Sequence, residues 1–296
     1  MIRSFSRSVT HRVGVFTDRF LGRDRPLAEA RLLFEIGRGG NDVRVLRTRL
    51  GFDSGYLSRL LRSLEKQNLI EVVPQPTDRR TRHARLTATG ESELAELDRR
   101  GDDFARTLLA PLTEGERQRM VRAMDEVERL LRLSATVLEV EDPTSSEARW
   151  CVEQYFAELA ARFDQGFDPG QSISADPGET RPPRGVFLVA RLDGQPVGCG
   201  ALKTLEEGIG TIKRMWIDES ARGIGLGRHI LFALEDQARQ LGFHRLRLET
   251  NRVLTEAQSL YRRNGYEEVS PFNNEPYAHH WFEKNIQPAP TTGESQ

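Results

Sequence analysis

Residues 222–227 read Arg-Gly-Ile-Gly-Leu-Gly, and no other stretch constrains the fold of this chain as tightly. An apolar run precedes it (TIKRMWID, residues 211–218), and GRHILFALEDQARQLGF (residues 227–243) follows. In the second segment Ile230, Leu231, Leu234, Ala238 and Leu241 recur at helical spacing, so the pattern predicts strand, glycine turn, helix. Such a corner leaves backbone N–H groups pointing outward at a helix N-terminus, where they bind phosphate. Glycine is needed because a side chain would block close approach and because some turn positions favour positive φ. Two phosphate loops are excluded. A Walker A loop requires Lys and then Ser or Thr after its glycines, but Arg228 follows Gly227; a dinucleotide fingerprint requires a third glycine where Ile230 stands. The pattern that remains is R-x-x-G-x-G, from Arg222 to Gly227.

At 296 residues the chain has room for two domains with cores of their own. Its net charge of −1 hides an asymmetry: residues 1–133 hold 26 Lys+Arg against 20 Asp+Glu, and the remainder 17 against 24. A basic half joined to an acidic half predicts two jobs, with an anionic partner for the first. The first half is helical in period with one strand-like interruption near 70–88. After Ser134 short β-rich runs appear (ATVLEVE, GVFLVARLDG, QPVGCGALKT, RLRLETN), mixed with helical stretches. The expected domains are 1–133 and 134–286, with a disordered tail over 287–296. Residues 167–185 read as a long loop. No apolar run approaches the roughly 20 residues of a membrane span, residues 1–21 contain no secretory h-region, and Cys151 and Cys199 make no disulfide framework. The expectation is a cytoplasmic protein with no membrane partner.

In residues 41–90, Asp42 can cap a short helix carrying Val45, Leu46 and Leu50, which Gly51 ends. Asp53 or Ser54 caps the next, where Leu57, Leu60, Leu61 and Leu64 form the apolar stripe. The opposite face shows Gly55, Tyr56, Ser58, Arg59, Arg62 and Lys66, and these residues with Ser54 at the helix start suit the major groove of duplex DNA. Two β-like runs follow, and their connection holds Arg79, Arg80 and Arg82, a basic hairpin tip able to reach the backbone or minor groove.

These residues (DSGYLSRLLRSLEKQNLI, then DRR and LTATG) resemble the MarR family of winged helix-turn-helix regulators over about residues 10–133. The resemblance implies a homodimer made by terminal helices, here about 5–20 and 114–133, on a palindromic operator. In the second of these helices Met120, Met124, Val127 and Leu131 are spaced three and four apart.

The R-x-x-G-x-G loop, with LRLETN (residues 246–251) and TEAQSLYRRNGYEEV (residues 255–269) downstream, resembles the GNAT superfamily of N-acetyltransferases over about residues 134–284. A mainly-α winged-helix domain is therefore expected ahead of an α+β domain with a mixed central sheet. The resemblance implies acetyl-CoA as co-substrate. Its pyrophosphate would sit on the amides of Arg222, Gly223, Ile224, Gly225, Leu226 and Gly227, and its pantetheine would pair with the backbone of Met215, Trp216 and Ile217. It also maps the superfamily's acid, which protonates the leaving thiolate, onto Tyr261. Without that resemblance, Tyr261 reads as a core aromatic. Asn251 either bonds pantetheine or caps the next loop.

The base is less defined. Thr211 stands where many relatives carry a glutamate; Glu206, Glu207 and Glu249 are nearby, with Glu249 ranked first, although it can equally be a structural partner of Lys213 or Arg214. His279 and His280 lack further ligands at metal spacing, so no metal is expected. The leading expectation is a bifunctional regulator and N-acetyltransferase acting on a small-molecule amine or a protein lysine. The alternative is a regulator whose second domain senses acyl-CoA or a metabolite without turnover. A third reading makes the winged helix a protein-interaction module.

Overall fold

The computed structural model describes residues 2–13, 21, 25–39, 42–74, 82–173 and 175–286. The chain divides into two compact units, Met1–Met124 and Asp125–Gln296. The first contains α1 (Ile2–Val13), α2 (Leu27–Gly37), α3 (Val43–Leu50), α4 (Ser54–Lys66), β1 (Ile70–Pro74), β2 (Arg82–Leu86), α5 (Ala88–Leu109) and the start of α6 (Glu114–Ser134). Asp42 caps α3 by accepting from the Arg44 N–H at 2.7 Å, and Gly51 closes it at φ 64°. Asp53, not Ser54, caps α4: its Oδ1 accepts from the Tyr56 N–H at 2.8 Å. Leu57, Leu60, Leu61 and Leu64 are all buried, against Leu32, Leu33, Leu46, Ala84 and Leu97. Burying each such leucine is worth about 2–3 kcal/mol. β1 and β2 pair antiparallel from Ile70 opposite Leu86 to Pro74 opposite Arg82.

The second unit contains β3 (Thr136–Val140), α7 (Ser146–Arg162), β4 (Gly185–Leu192), β5 (Gln195–Glu206), β6 (Ile209–Ile217), α8 (Leu226–Gln240), β7 (Arg245–Thr250), α9 (Thr255–Arg263), β8 (Glu267–Val269) and β9 (His280–Asn285). Its sheet runs β3-β4-β5-β6-β7-β9-β8, with β6 and β7 parallel and the other neighbours antiparallel, the mixed sheet expected. The central strands are covered on both faces, so β4 is apolar and buried from Gly185 to Ala190 rather than alternating. Val186, Leu188 and Ala190 join a core with Ile230, Leu231 and Leu234 of α8, whereas Phe187 and Val189 pack with Ala148 and Cys151 of α7. Gly200 on β5 permits the close approach of α8, because a Cβ there would lie 2.8 Å from Ile230 and 2.9 Å from Leu234.

The units divide earlier than the expected Leu133, because the end of α6 packs onto the second. Arg129 donates to the Ile224 carbonyl at 3.1 Å, Arg132 donates to the Ser220 carbonyl, and Leu133 joins the core beneath α8. The apolar stripe of α6 is otherwise open: Met124 is 52 % exposed and Leu131 63 %. Among the described residues no helix is long and apolar enough to cross a membrane.

Candidate active site and nucleic-acid interface

The glycine turn has the geometry that its composition predicts. Gly223 and Gly225 have φ 77° and 97°, and Gly225 is the left-handed N-cap of α8. The N–H groups of Gly223, Ile224 and Gly225 meet no acceptor among the described residues. Those of Leu226 and Gly227, as first-turn groups, have no partner within the helix either. Five consecutive amides at a helix N-terminus make a seat for a diphosphate. Arg222, by contrast, is committed: its Nε donates to the Ile217 carbonyl at 3.1 Å and its guanidinium pairs with Glu158.

β6 leads into that turn, and it parts from β7 halfway. Their pairing covers only Ile209–Thr211 against Arg245–Arg247, although the strands continue to Ile217 and Thr250. The separation begins where β6 bulges. Arg214 has φ 53°, a conformation that non-glycine residues rarely adopt, and the register with β5 shifts between Cys199 and Ala201. The resulting slot leaves the β6 edge at Met215, Trp216 and Ile217 without a β7 partner. The Trp216 side chain lies elsewhere, packed with Cys151 and Phe187 and donating Nε1–H to Glu158 at 2.9 Å.

The slot opens into a cleft of about 210 Å³. Tyr261 of α9 lines it, 6 % exposed, with its hydroxyl 3.8 Å from the Met215 sulfur. Burial pushes its phenol well above the usual tyrosine range, so the group is protonated at neutral pH. Tyr261 also packs against Tyr266 and Phe282, so it occupies both the cleft wall and the core. Glu249 lines the cleft as well, ion-paired with Lys213; their side chains are 6 % and 11 % exposed. The structural alternative for Glu249 is thus the partnership observed. Thr211 is buried with no partner for its hydroxyl, and Glu206 pairs with Arg247. Asn251 joins two loops: its Oδ1 accepts from the Val253 N–H in the loop after β7, and its Nδ2 donates to the Tyr277 carbonyl of the distant 270–279 segment at 2.7 Å. His280 pairs with Glu268 at 2.6 Å.

The irregular 167–185 and 270–280 segments, expected to shape an acceptor pocket, both line the cleft, whereas Tyr155, Phe156 and Phe163 escaped the sequence reading. Tyr155, Phe156 and Phe163 of the α7 segment, with Phe167 and Tyr277 from irregular segments, line one side. Their signal was the four-residue spacing of Tyr155, Leu159, Phe163 and Phe167.

In the first unit, Ser54, Gly55, Arg59 and Arg62 are exposed on α4, with Tyr56 and Ser58 partly so. Arg59 lies over the Tyr56 ring, 5.7 Å from its centroid, and the Ser58 hydroxyl donates to the Ser54 carbonyl at 2.7 Å. Arg82 is exposed at the start of β2, while Arg79 and Arg80 lie outside the described residues.

Comparison with known proteins agrees with this division. A model of the acetyltransferase (GNAT) family matches residues 147–266, and one of the MarR family matches residues 23–81. The uncharacterized N-acetyltransferase YjgM of Escherichia coli (strain K12) is 30% identical over 128 residues, which span 40% of this chain and 73% of that protein. The chain belongs to the GNAT acetyltransferases. Its first unit carries a MarR-family domain. The GNAT domain is also similar to the IAA acetyltransferase of Azospirillum brasilense, 44% identical over 92 residues. That match spans 31% of this chain and 59% of the relative, less than two thirds of its length. The crystal structure of wild-type MarR from E. coli in its apo form aligns at a TM-score of 0.39 with 22% identity, over 43% of this chain and 96% of that one. The co-substrate of the GNAT family is acetyl-CoA.

Proposed function

We propose that the chain is a bifunctional protein, an operator-binding regulator fused to an acetyl-CoA-dependent N-acetyltransferase. The observation that carries the transferase reading is the fork between β6 and β7, which lies between the glycine turn and Tyr261. The Arg222 N–H is taken by the Glu219 carbonyl at 3.2 Å, so a diphosphate on the amides of residues 223–227 leaves the pantetheine to run along Met215, Trp216 and Ile217 and brings the thioester to the fork. The neutral amine attacks the carbonyl carbon, a C–N bond forms and the C–S bond breaks. Tyr261 gives its proton to the departing sulfur. The amine proton leaves through Glu249 or through water to solvent, and the phenol is then reprotonated. Lys213 is ion-paired with Glu249, so the carboxylate that would take the amine proton already has a partner.

That commitment of Glu249, together with Thr211 at the neighbouring strand position, supports the second reading, a GNAT domain that senses acyl-CoA without turnover. Calorimetry with acetyl-CoA and a CoA-release assay across amines separate the two: binding with release means an enzyme, and binding without release a sensor. No binding removes both.

For the first unit, the α4 face and Arg82 support binding to duplex DNA, with the hairpin at the wing. The open stripe of α6, with Ile2 and Phe5 exposed on α1, supports a homodimer. Sedimentation of the full chain and gel shifts on palindromic operators test this; a monomer that binds no DNA would refute it.

A further inference from the structure

We propose that the acceptor is a small aromatic amine bearing a carboxylate on the carbon next to its amino group, as in an aromatic α-amino acid. Its ring would rest on Phe156, Phe163, Phe167 and Tyr277, and its carboxylate on Arg214. This rests on the transferase reading above and names the substrate of that site.

The first support is the wall. Phe156 and Phe167 have centroids 5.5 Å apart, Phe163 and Phe167 5.9 Å, Phe163 and Tyr277 5.8 Å, and Phe167 and Tyr277 4.9 Å. These rings form a continuous aromatic surface along the cleft, and the Tyr277 hydroxyl is already occupied, accepting from the Asp168 N–H at 3.0 Å. Such a surface selects a flat apolar group by offset or edge contacts.

The second support is charge. Of the ionised groups lining the cleft, Lys213 and Glu249 neutralise each other. Glu275 accepts from the Ser172 hydroxyl at 3.0 Å, the Ile173 N–H at 2.7 Å and the Tyr277 N–H at 3.3 Å. Arg214 is different. Its guanidinium lies over the Phe156 ring, 5.5 Å from the centroid, and no carboxylate among the described residues is within ion-pair distance. Asp176 and Glu179 act on it only from farther away, and Glu179 is bound to Lys203. A desolvated guanidinium without a counter-ion favours an anionic ligand.

The third support is position. Arg214 immediately precedes Met215, whose sulfur the Tyr261 hydroxyl faces. A carboxylate held there lies one residue along β6 from the reacting centre, which suits an amino group on the adjacent carbon. A polyamine would bring more positive charge to an uncompensated arginine, and a lysine side chain of a protein would bring no anion beside its amine.

The test uses the intact chain. Coenzyme A binding is measured first by calorimetry, then kcat/KM for L-phenylalanine, phenethylamine (ring without carboxylate), L-alanine (carboxylate without ring), spermidine and a lysine peptide. L-phenylalanine is expected to exceed phenethylamine and L-alanine by at least about tenfold each, the worth of one charged hydrogen-bonded contact or one buried ring. In Arg214→Gln, checked for an unchanged melting transition, the ratio of L-phenylalanine to phenethylamine should fall toward one; the unmodified protein's panel decides the matter even if that variant fails to fold. Coenzyme A binding with spermidine or the peptide preferred, with phenethylamine equal to phenylalanine, or with no acceptor turned over, overturns the acceptor assignment and leaves the coenzyme site standing. Absence of coenzyme A binding overturns both.

Discussion

The Arg129 guanidinium donates to the carbonyl oxygen of Ile224 at 3.1 Å, so the end of α6 grips the glycine turn from outside. The same guanidinium is held by Glu126, and Arg132 takes the Ser220 carbonyl one turn further on. On the proposed reading, a carbonyl fixed in this way holds the neighbouring amides in place for the diphosphate. Arg129→Ala is therefore expected to weaken acetyl-CoA binding about fivefold, the worth of one hydrogen bond near 1 kcal/mol, with kcat little altered. Calorimetry and a saturation curve in acetyl-CoA check this; an unchanged affinity removes the helix from the site.

Gly225 offers a stricter test of the turn. At φ 97° a side chain is strained, and a Cβ would come within 3.3 Å of Arg129. Gly225→Ala should cost about 1–2 kcal/mol in local conformation and lower acetyl-CoA affinity at least tenfold. Retention of wild-type affinity would show that the amides at this corner do not bind the diphosphate.

Tyr261→Phe removes one oxygen whose contact among the described residues is the Met215 sulfur, so the fold should hold while kcat falls about 10²–10³-fold. The pH profile carries a second signature. Burial raises the folded-state pKa of this phenol, so its contribution to stability is present below the ordinary tyrosine value near 10 and is lost only as pH rises through the higher folded value. No alkaline fall in rate should therefore arise from Tyr261 below about pH 10. A fall centred near pH 8 that persists in the phenylalanine variant points to another acid.

Much of this was legible in the chain. The glycine corner and the helix after it were set by glycine placement and by apolar residues at three- and four-residue spacing, and the buried leucines of α4 follow the same rule, whereas the Tyr261 segment was read from its resemblance to the GNAT superfamily. The fork was not legible. It depends on Arg214 adopting a left-handed conformation that an arginine in an apolar strand gives no reason to expect. The aromatic wall was hidden because α7 is used on two sides, with Ala148 and Cys151 toward the sheet and Tyr155 and Phe156 in the cleft, which blurs a single apolar stripe. The sequence offered Lys213 and Arg214 as structural partners of Glu249 without choosing between them, because both lie on a different strand from Glu249; the structure selects Lys213.

That ion pair yields a further prediction. Glu249→Gln strands the Lys213 ammonium in a largely buried site and should destabilise the protein by about 3 kcal/mol, seen as a lowered melting temperature. If Glu249 is also the base, kcat at neutral pH should drop at least tenfold and recover as pH rises toward the pKa of the amine. A loss of stability with an unchanged pH profile would leave it a purely structural group.

For the α4 face, Arg59→Ala should weaken operator binding and flatten the dependence of log K on log salt by about 0.9 for one lost phosphate contact. Fluorescence anisotropy at several salt concentrations measures it. An unaltered slope together with unaltered affinity would exclude Arg59 from the interface.

Glu158 ties the second unit together in a manner that bears on how such a sequence can drift. One of its oxygens takes both the Trp216 indole N–H and the Arg222 guanidinium, while the other meets Arg162. The turn, the central strand and the helix behind them thus share a single anchor, so a neutral replacement at position 158 has to be matched at Arg162 one turn along the same helix and at two distant points of the chain. Relatives that keep the turn should vary at these four positions as a set, never one by one.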